Sequence, residues 1–369
     1  MNVCELKVSG FRNLADLEWT PSPQVNILYG NNGQGKTNLL EALWLFTGGK
    51  SFRGAKDADM VGFGKEKADL TLRFEAEERE QDASVQIRHR RSVSLNGIAQ
   101  PTPTRLAGHF CAVVFSPAHL SLIKEGPEGR RRFLDAAYCQ LRPGYIATLS
   151  QYTRALSQRN ALIKEERTIG RSPYFADLLD SWDEKLAEAG ARVIASRKTY
   201  VRRLLPLATD IYTGLSGGKE KLFFSMTEQI NPPGLEHPND IRPMLLERLK
   251  AAHCADLAAG FTTVGPHRDD LEICIHGVSA RSFGSQGQQR SAVLALKLAE
   301  ASLLQEVTGE SPIALLDDVM SELDPARQDY ILNHLHNWQV FITCCDPSAV
   351  QRMTGGMTCR MQDGHLQPE

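Results

Sequence analysis

The octapeptide Gly30-Asn31-Asn32-Gly33-Gln34-Gly35-Lys36-Thr37 has the spacing G-x-x-x-x-G-K-[ST], and each residue type suits a phosphate group. Glycines let the backbone turn tightly, so the N–H groups from Gly30 to Gly35 can point inward at phosphate oxygens. A helix opening near Lys36 aims its unpaired N–H groups and positive dipole end at the same anion. Lys36, expected to stand exposed on the loop, adds a point charge for the β- and γ-phosphates, and the Thr37 hydroxyl is a ligand for Mg²⁺. A second stretch, Ile313-Ala314-Leu315-Leu316-Asp317-Asp318, is an apolar run ending in two acids. It reads as a buried strand whose end reaches an active site. Asp317 is placed to hold Mg²⁺, directly or through water, and Asp318 to orient and deprotonate an attacking water. A helix cap following a strand is the plainer reading of such an acid. A third stretch, Ser285-Gln286-Gly287-Gln288, precedes a helix with Leu294, Leu298 and Ala301 on one face. The Ser285 hydroxyl, the backbone at Gly287 and Gln288, and the helix N-terminus form a second anion cradle.

Positioning these groups requires a scaffold. Val25–Tyr29 reads as a short buried strand entering the glycine loop, and Leu39, Leu40, Leu43, Trp44 and Phe46 as a largely buried helix leaving it. Residues 260–284 and 338–362 suggest further strands. Ile146, Leu149, Tyr152 and Leu156 recur at helical spacing, as do Leu179, Trp182, Leu186, Ala189, Val193, Tyr200 and Leu204. Two long amphipathic helices follow, Pro173 before the second and Pro206 ending it; the stripe reads as the core of a helical hairpin. Residues 214–240, with Asn231-Pro232-Pro233-Gly234, read as a loop. Gln81 to Asn96 reads as a polar β-hairpin carrying Arg88, His89, Arg90 and Arg91.

A length of 369 residues fits two domains, and 42% hydrophobic with 23% charged residues is ordinary globular composition. With 42 Lys and Arg against 44 Asp and Glu, the net charge of -2 excludes a histone-like polycation. It does not exclude a local basic surface. Between Lys124 and Arg203 stand 16 basic and 10 acidic residues, densest at Arg130-Arg131-Arg132, Arg197-Lys198 and Arg202-Arg203. Such clusters are the footprint of phosphate-backbone contact or simply a solvated helix face. No apolar run approaches the roughly 20 residues of a membrane span. Met1–Gly10 carries Glu5 and Lys7 and does not read as a signal peptide. The 8 cysteines form no C-x-x-C pair, so zinc and redox readings are weak and a reduced cytoplasmic setting fits.

In this order, glycine loop, Ser-x-Gly-Gln turn, apolar strand with two acids, then Ser321-Glu322-Leu323-Asp324, the chain resembles the ATP-binding-cassette ATPases. More narrowly it resembles the branch containing the SMC proteins and the RecF family. Phe11-Arg12-Asn13 looks like that branch's opening strand, and Ser51-Phe52-Arg53-Gly54 like its arginine loop, which implies a nucleotide contact for Arg53. Phe115-Ser116-Pro117, Arg130-Arg131-Arg132-Phe133-Leu134-Asp135 and Gly265-Pro266-His267-Arg268-Asp269-Asp270-Leu271 look like the RecF family itself. The resemblance covers essentially the whole chain. It departs at Asp318, where the cassette family usually has Glu, and at Cys344-Cys345-Asp346, where many members carry a switch histidine. Ala118 and His119 replace the acids common in the RecF family, and no glutamine stands out for a Q-loop.

The resemblance implies an α/β fold, an ABC-type P-loop ATPase head of 1–120 with 260–369, and an inserted, mostly helical arm of 121–259. It implies a cytoplasmic, ATP-dependent DNA-binding clamp of recombinational repair and replication-fork recovery, acting in the DNA-damage (SOS) response. Such a clamp takes ATP and Mg²⁺, dimerises on ATP because Ser285 and Gly287 complete the site of a second chain, and is a weak, DNA-stimulated ATPase. The implied partners are single- and double-stranded DNA, gaps and junctions, and the proteins RecR and RecO, which help load the recombinase. Two other readings compete. The nucleotide-binding subunit of a membrane ABC transporter is disfavoured by the missing switch histidine and Q-loop and by the basic insert. Another SMC-like or nuclease-associated ATPase is disfavoured by the short arm and by the lack of an evident nuclease domain.

Overall fold

The computed structural model describes residues 1–170, 173–227 and 236–368. The chain forms two compact units. One comprises Met1–Ser121, Leu207–Lys221 and Ser285–Glu369, and the other Leu122–Pro206 and Leu222–Gly284.

The first unit carries two six-stranded sheets. One is antiparallel, in the order Leu17–Trp19, Asn2–Ser9, Ala68–Ala76, Arg79–Ile87, Arg91–Leu95, Ile98–Gln100. Burial alternates along Ala68–Ala76, as it must where one face meets a core and the other meets water. The other sheet runs His365–Pro368, Met357–Gln362, Val25–Tyr29, Val340–Cys344, Ile313–Asp317, Ala112–Phe115, parallel except for its first edge strand. Every residue of Ile313–Asp317 and Val340–Cys344 is buried, which is why these strands read as unbroken apolar runs. The helix Lys36–Leu45 contributes Leu39, Leu40 and Leu43 to a core shared with Phe46, Phe74, Phe110 and Phe341. At about 1.5–3 kcal/mol for each large side chain removed from water, this core holds the glycine loop between rigid elements.

The second unit is mostly helical. It contains Pro127–Leu141, Tyr145–Ile169, the first part of Phe175–Leu215, Pro238–Ala251 and His253–Ala259. A three-stranded sheet, Val278–Ser279, Asp270–Ile275, Leu222–Thr227, completes it. The predicted apolar stripe is its core: Tyr152, Leu186, Val193, Ile241 and Leu245 are buried together, with Leu149, Leu156 and Trp182 packed against them.

Several sequence expectations meet a different outcome. The second long helix does not end at Pro206 but runs through it to Leu215. A proline inside a helix costs about 3 kcal/mol or more; burial of Ala208, Ile211 and Tyr212 just beyond it offsets that cost. Pro206 is where the two units divide. The loop expected over 214–240 contains the strand Leu222–Thr227, whose Leu222 and Phe224 alternate inward, and Pro238 already opens a helix. The segment Asn231-Pro232-Pro233-Gly234 lies outside the described residues. Residues 260–284, expected in the head, belong to the helical unit because Asp270–Ile275 pairs with Leu222–Thr227. The hairpin at 81–96 is present, but Ala83, Val85, Ile87, Val93 and Leu95 are buried, so only one of its faces is polar. Among the described residues no helix is long and apolar enough to cross a membrane.

Candidate nucleotide site

The glycine loop joins the strand Val25–Tyr29 to the helix Lys36–Leu45. Gly30 has φ +148 and Gly35 φ +110, and an added Cβ would meet the Met361 carbonyl oxygen at 2.3 Å or Leu14 Cδ2 at 2.8 Å. Both positions require glycine. Gly35 caps the helix with no side-chain partner, so first-turn N–H groups remain for an anion. Lys36 is not exposed as expected: it is 4% accessible. Its ammonium folds back across the loop to the carbonyls of Gly30 at 2.8 Å and Asn31 at 3.0 Å. Its stem packs with the helix, and the carbonyls satisfy a charge that would otherwise be left unpaired.

Asp317 ends its strand beside this helix. Its Oδ1 accepts from the Thr37 hydroxyl at 2.7 Å and from the Thr343 hydroxyl at 3.0 Å. Burial pushes the Asp317 carboxyl pKa up, opposed by these two donors and by the nearby Arg53 guanidinium. A hydroxyl and a carboxylate are hard oxygen donors of the kind Mg²⁺ takes, so Thr37 and Asp317 fit that ion. Asp318 adopts a left-handed φ of +51, uncommon for a residue with a side chain. Its N–H donates to Thr343 Oγ1 at 2.8 Å. Thr343 thus touches both acids, a role that sequence reading missed because the residue lies in another buried strand.

The loop is braced on both sides. Asn13 donates to the Gly33 carbonyl at 2.8 Å and accepts from Asn38 at 2.6 Å; Asn38 in turn accepts from Arg53 at 2.8 Å. Gln34 receives the Asp363 N–H, and its carbonyl receives the Gly364 N–H at 3.1 Å. The Cys345 thiol lies 3.3 Å from Asn32 Oδ1, so the position expected for a switch residue does touch the loop. Gly30, Asn31, Asn32, Gly33, Gln34, Gly35, Lys36, Thr37, Arg53, Asp317 and Asp318 all lie in the first unit; hydrogen bonds link Thr37 to Asp317 and, through Asn38 and Asn13, Arg53 to the loop at Gly33.

Ser285 caps the helix Gln286–Thr308 in a reciprocal box. Its hydroxyl accepts from the Gln288 N–H at 3.2 Å, and its own N–H donates to Gln288 Oε1 at 2.8 Å. The Gln288 amide donates to Glu220 at 2.7 Å. None of these bonds reaches the glycine loop. A Cβ added at Gly287 would meet nothing nearer than 3.8 Å, so packing within this chain does not account for that glycine. Ser285 and Gln286 are exposed.

Within the basic clusters of the helical unit, Arg130 and Arg197 are structural. Arg130 is buried; it forks onto Asp270 at 2.7 and 2.9 Å and donates to the carbonyls of Leu122, Ile123 and Glu125. Arg131 donates to the Asp269 carbonyl at 2.7 Å, and Arg132 lies 3.6 Å from Glu128. Arg197 forks onto Asp135 at 2.9 and 2.8 Å and reaches the Pro266 carbonyl at 2.6 Å. Arg202 pairs with Glu236, and Lys198 and Arg203 are likewise engaged. The sequence segments 130–135 and 265–271 therefore meet as struts. Asp180, Asp183 and His253 are the one metal-like cluster among the described residues. Both Asp183 oxygens are already taken, one by the buried Arg159 at 2.6 Å and the other by His253 at 2.5 Å, so no second cation is called for.

A family described as the RecF/RecN/SMC N-terminal domain matches residues 2–367. The chain is 37% identical over 358 residues to the DNA replication and repair protein RecF of Acetivibrio thermocellus, covering 96% of each chain. It is 40% identical over 346 residues to that of Agathobacter rectalis, covering 93% of this chain and 92% of the relative. A solved structure of the recombination mediator protein RecF with ATP, in the RecFOR pathway, superposes with a TM-score of 0.92 at 38% identity, covering 100% of this chain and 97% of that one. The Smc head of Pyrococcus furiosus matches with a TM-score of 0.55 at 17% identity, covering 100% of this chain and 96% of that one, which shows a common fold.

Proposed function

Because the chain belongs to the RecF family of DNA replication and repair ATPases, with an ABC/SMC-type P-loop head and an inserted helical arm, we propose that it is an ATP-dependent DNA clamp. The observation that carries this reading is the meeting of Thr37 and Asp317 at 2.7 Å beside a loop that can hold only glycine at Gly30 and Gly35. We assign the β- and γ-phosphates to the loop N–H groups and Lys36, whose ammonium exchanges carbonyls for phosphate oxygens. Thr37 and Asp317 would hold Mg²⁺, which when bound neutralises phosphate charge. Asp318, fixed through Thr343, orients water; being shorter than the usual Glu, it supports slow turnover. Arg53 adds positive charge at the edge of the site.

Ser285 and Gly287 complete the site of a second copy, so ATP is a ligand shared at an interface and favours the dimer over the monomer. For DNA we choose the head over the arm. Arg88, His89 and Arg90 form an exposed turn and, among the described residues, pair with no acid. Arg91 ties that turn to the arginine-loop segment, at the Gly49 carbonyl (2.6 Å) and Asp57 (2.9 Å), which brings exposed Lys50 and Lys56 nearby. Such unpaired charge fits a phosphate backbone without reading bases. By extension from the relatives, RecR and RecO are its partners, the cytoplasm its site, and DNA-stimulated hydrolysis its activity.

Sedimentation with and without ATP and duplex DNA tests the reading. ATP is expected to shift wild type to a dimer; Ser285→Arg is expected to bind ATP yet stay monomeric, and Lys36→Ala to bind none. A Ser285→Arg protein that dimerises and hydrolyses ATP normally would remove the shared-site assignment.

A further inference from the structure

Two features of the first unit have no role in the assignment above: the turn at Arg12-Asn13 and the fully buried Glu41. Arg12 has a left-handed φ of +53, a conformation that costs energy in a residue with a side chain and persists only when its surroundings hold it. What holds it is visible. Its N–H donates to the Met60 carbonyl at 2.9 Å, its Nη1 to the Asp59 carbonyl at 3.0 Å, and its Nε and Nη2 to Glu41 at 2.9 and 3.1 Å. Glu41, on the helix that follows the glycine loop, is 0% exposed. A buried carboxylate is tolerated only when paired, and Arg12 supplies that pairing. Glu41 Oε1 also accepts the Ser51 hydroxyl. Ser51 Oγ in turn accepts the backbone N–H groups of Arg53 and Ala55, both at 3.2 Å. The backbone that carries Arg53 therefore hangs from the loop's own helix.

The Arg53 side chain is held by a separate chain of bonds with one direction. A guanidinium can only donate and a carbonyl can only accept. With Arg53 at one end and the Gly33 carbonyl at the other, each amide between them has one satisfactory orientation. Asn38 must turn its oxygen to Arg53 and its NH₂ to Asn13, and Asn13 its NH₂ to Gly33, as observed. Bonds aligned head to tail polarise one another. Gly33 is part of the loop that cradles the phosphates, so its carbonyl moves with the loop.

We propose that Asn13 and Asn38, with Glu41 and Ser51 behind them, are positioning residues that set Arg53 against the glycine loop, so that the arginine's placement and the loop's nucleotide-bound conformation are coupled. This rests on the ATP-binding reading of the loop. Asn13 and Ser51 act through Arg53 rather than on nucleotide themselves.

A double-mutant cycle on kcat/KM and Kd for ATP tests this, using the full chain. Arg53→Ala is expected to lower kcat/KM by roughly ten- to a hundredfold, as loss of a charged donor does, and Asn13→Ala or Ser51→Ala by about five- to tenfold. Asn13→Ala or Ser51→Ala combined with Arg53→Ala is expected to match Arg53→Ala alone within about twofold, since coupled residues are not additive. Ser51→Thr, which keeps the hydroxyl, is expected to restore most of the loss. Effects that multiply in the double variants would overturn the proposal, because a direct contact with nucleotide or a general loss of stability predicts multiplication. Asn13 is exposed, so its variant carries the test if Ser51→Ala does not fold. Wild type that binds no ATP would sink the ATP reading as well; wild type that binds ATP with multiplying effects sinks only the coupling.

Discussion

Two sets of arginines, one in each unit, look alike in sequence and do opposite work. In the helical unit, Arg130, Arg159 and Arg197 are buried, each against carboxylates. In the head, Arg53, Arg88 and Arg90 are exposed, and Arg53 rests on a neutral amide rather than an acid. Desolvating a guanidinium is costly, so a buried one is found with acids, and its charge is then spent inside the fold. Net charge over a segment therefore says little about where phosphate can bind. Between Lys124 and Arg203 the buried Arg130, Arg159 and Arg197 serve as struts, while the smaller cluster on the head turn keeps its charge for solvent or a partner.

The sharpest way to break this contrast is to remove a strut. Arg159→Ala leaves Asp183 and Asp256, which it bonds at 2.6 Å each, buried without their cation. A loss of about 3–5 kcal/mol is expected, seen as a fall in Tm of roughly 10 °C. An unchanged melting curve would mean that these arginines are not structural. Next in size is the head turn. Arg88→Ala with Arg90→Ala is expected to weaken duplex binding at least about tenfold and to lower the slope of log K against log salt by about 2, with Tm unchanged. If instead Arg132→Ala, on the arm, gave the larger loss of affinity, the assignment of DNA to the head would be reversed.

The smallest effect is a pH dependence to which the helical unit contributes through one buried histidine. His267 accepts the Tyr152 hydroxyl at Nδ1 (2.6 Å) and donates from Nε2 to the Thr262 carbonyl (3.0 Å). Burial holds its pKa down to about 4, and the Arg268 and Arg131 charges push the same way. The unfolded chain takes up this proton near pH 6.5 and the folded one only near 4. The stability that the neutral ring contributes is therefore complete above about pH 6.5 and is lost as pH falls toward 4. Partial exposure trims the expected cost at pH 5 to about 1–2 kcal/mol. His267→Gln is expected to shrink the Tm difference between pH 7.5 and pH 5; an unchanged difference would place the titration elsewhere.

Much of the site was legible before any coordinates. The glycine loop is local: its conformation depends on Gly30 and Gly35 and on the strand and helix beside them. The turn that opens a helix at Ser285 and the buried strand ending at Asp317 are local too. Interactions among near neighbours leave periodic or fixed-spacing marks that a reader can find. Other features carried no such mark. Nothing near Pro206 shows that burial farther along keeps the helix intact. Nothing near Asp270 shows that its strand pairs with Leu222–Thr227 and so leaves the head. The folding back of Lys36, the placement of Thr343 between two acids, and the line from Arg53 through Asn38 and Asn13 to Gly33 each join residues from separate elements.

What the sequence determined by itself was the chemistry on offer: a glycine loop ending in Lys36 and Thr37, two acids on a buried strand and a Ser-Gly turn opening a helix, each encoded within a few neighbouring residues. What only the tertiary structure decided was which charges remained available to do that chemistry. That outcome depends on which acid each base meets on folding. Such meetings are set by packing between segments far apart in the chain, where the cost of burying an unpaired charge outweighs any local preference.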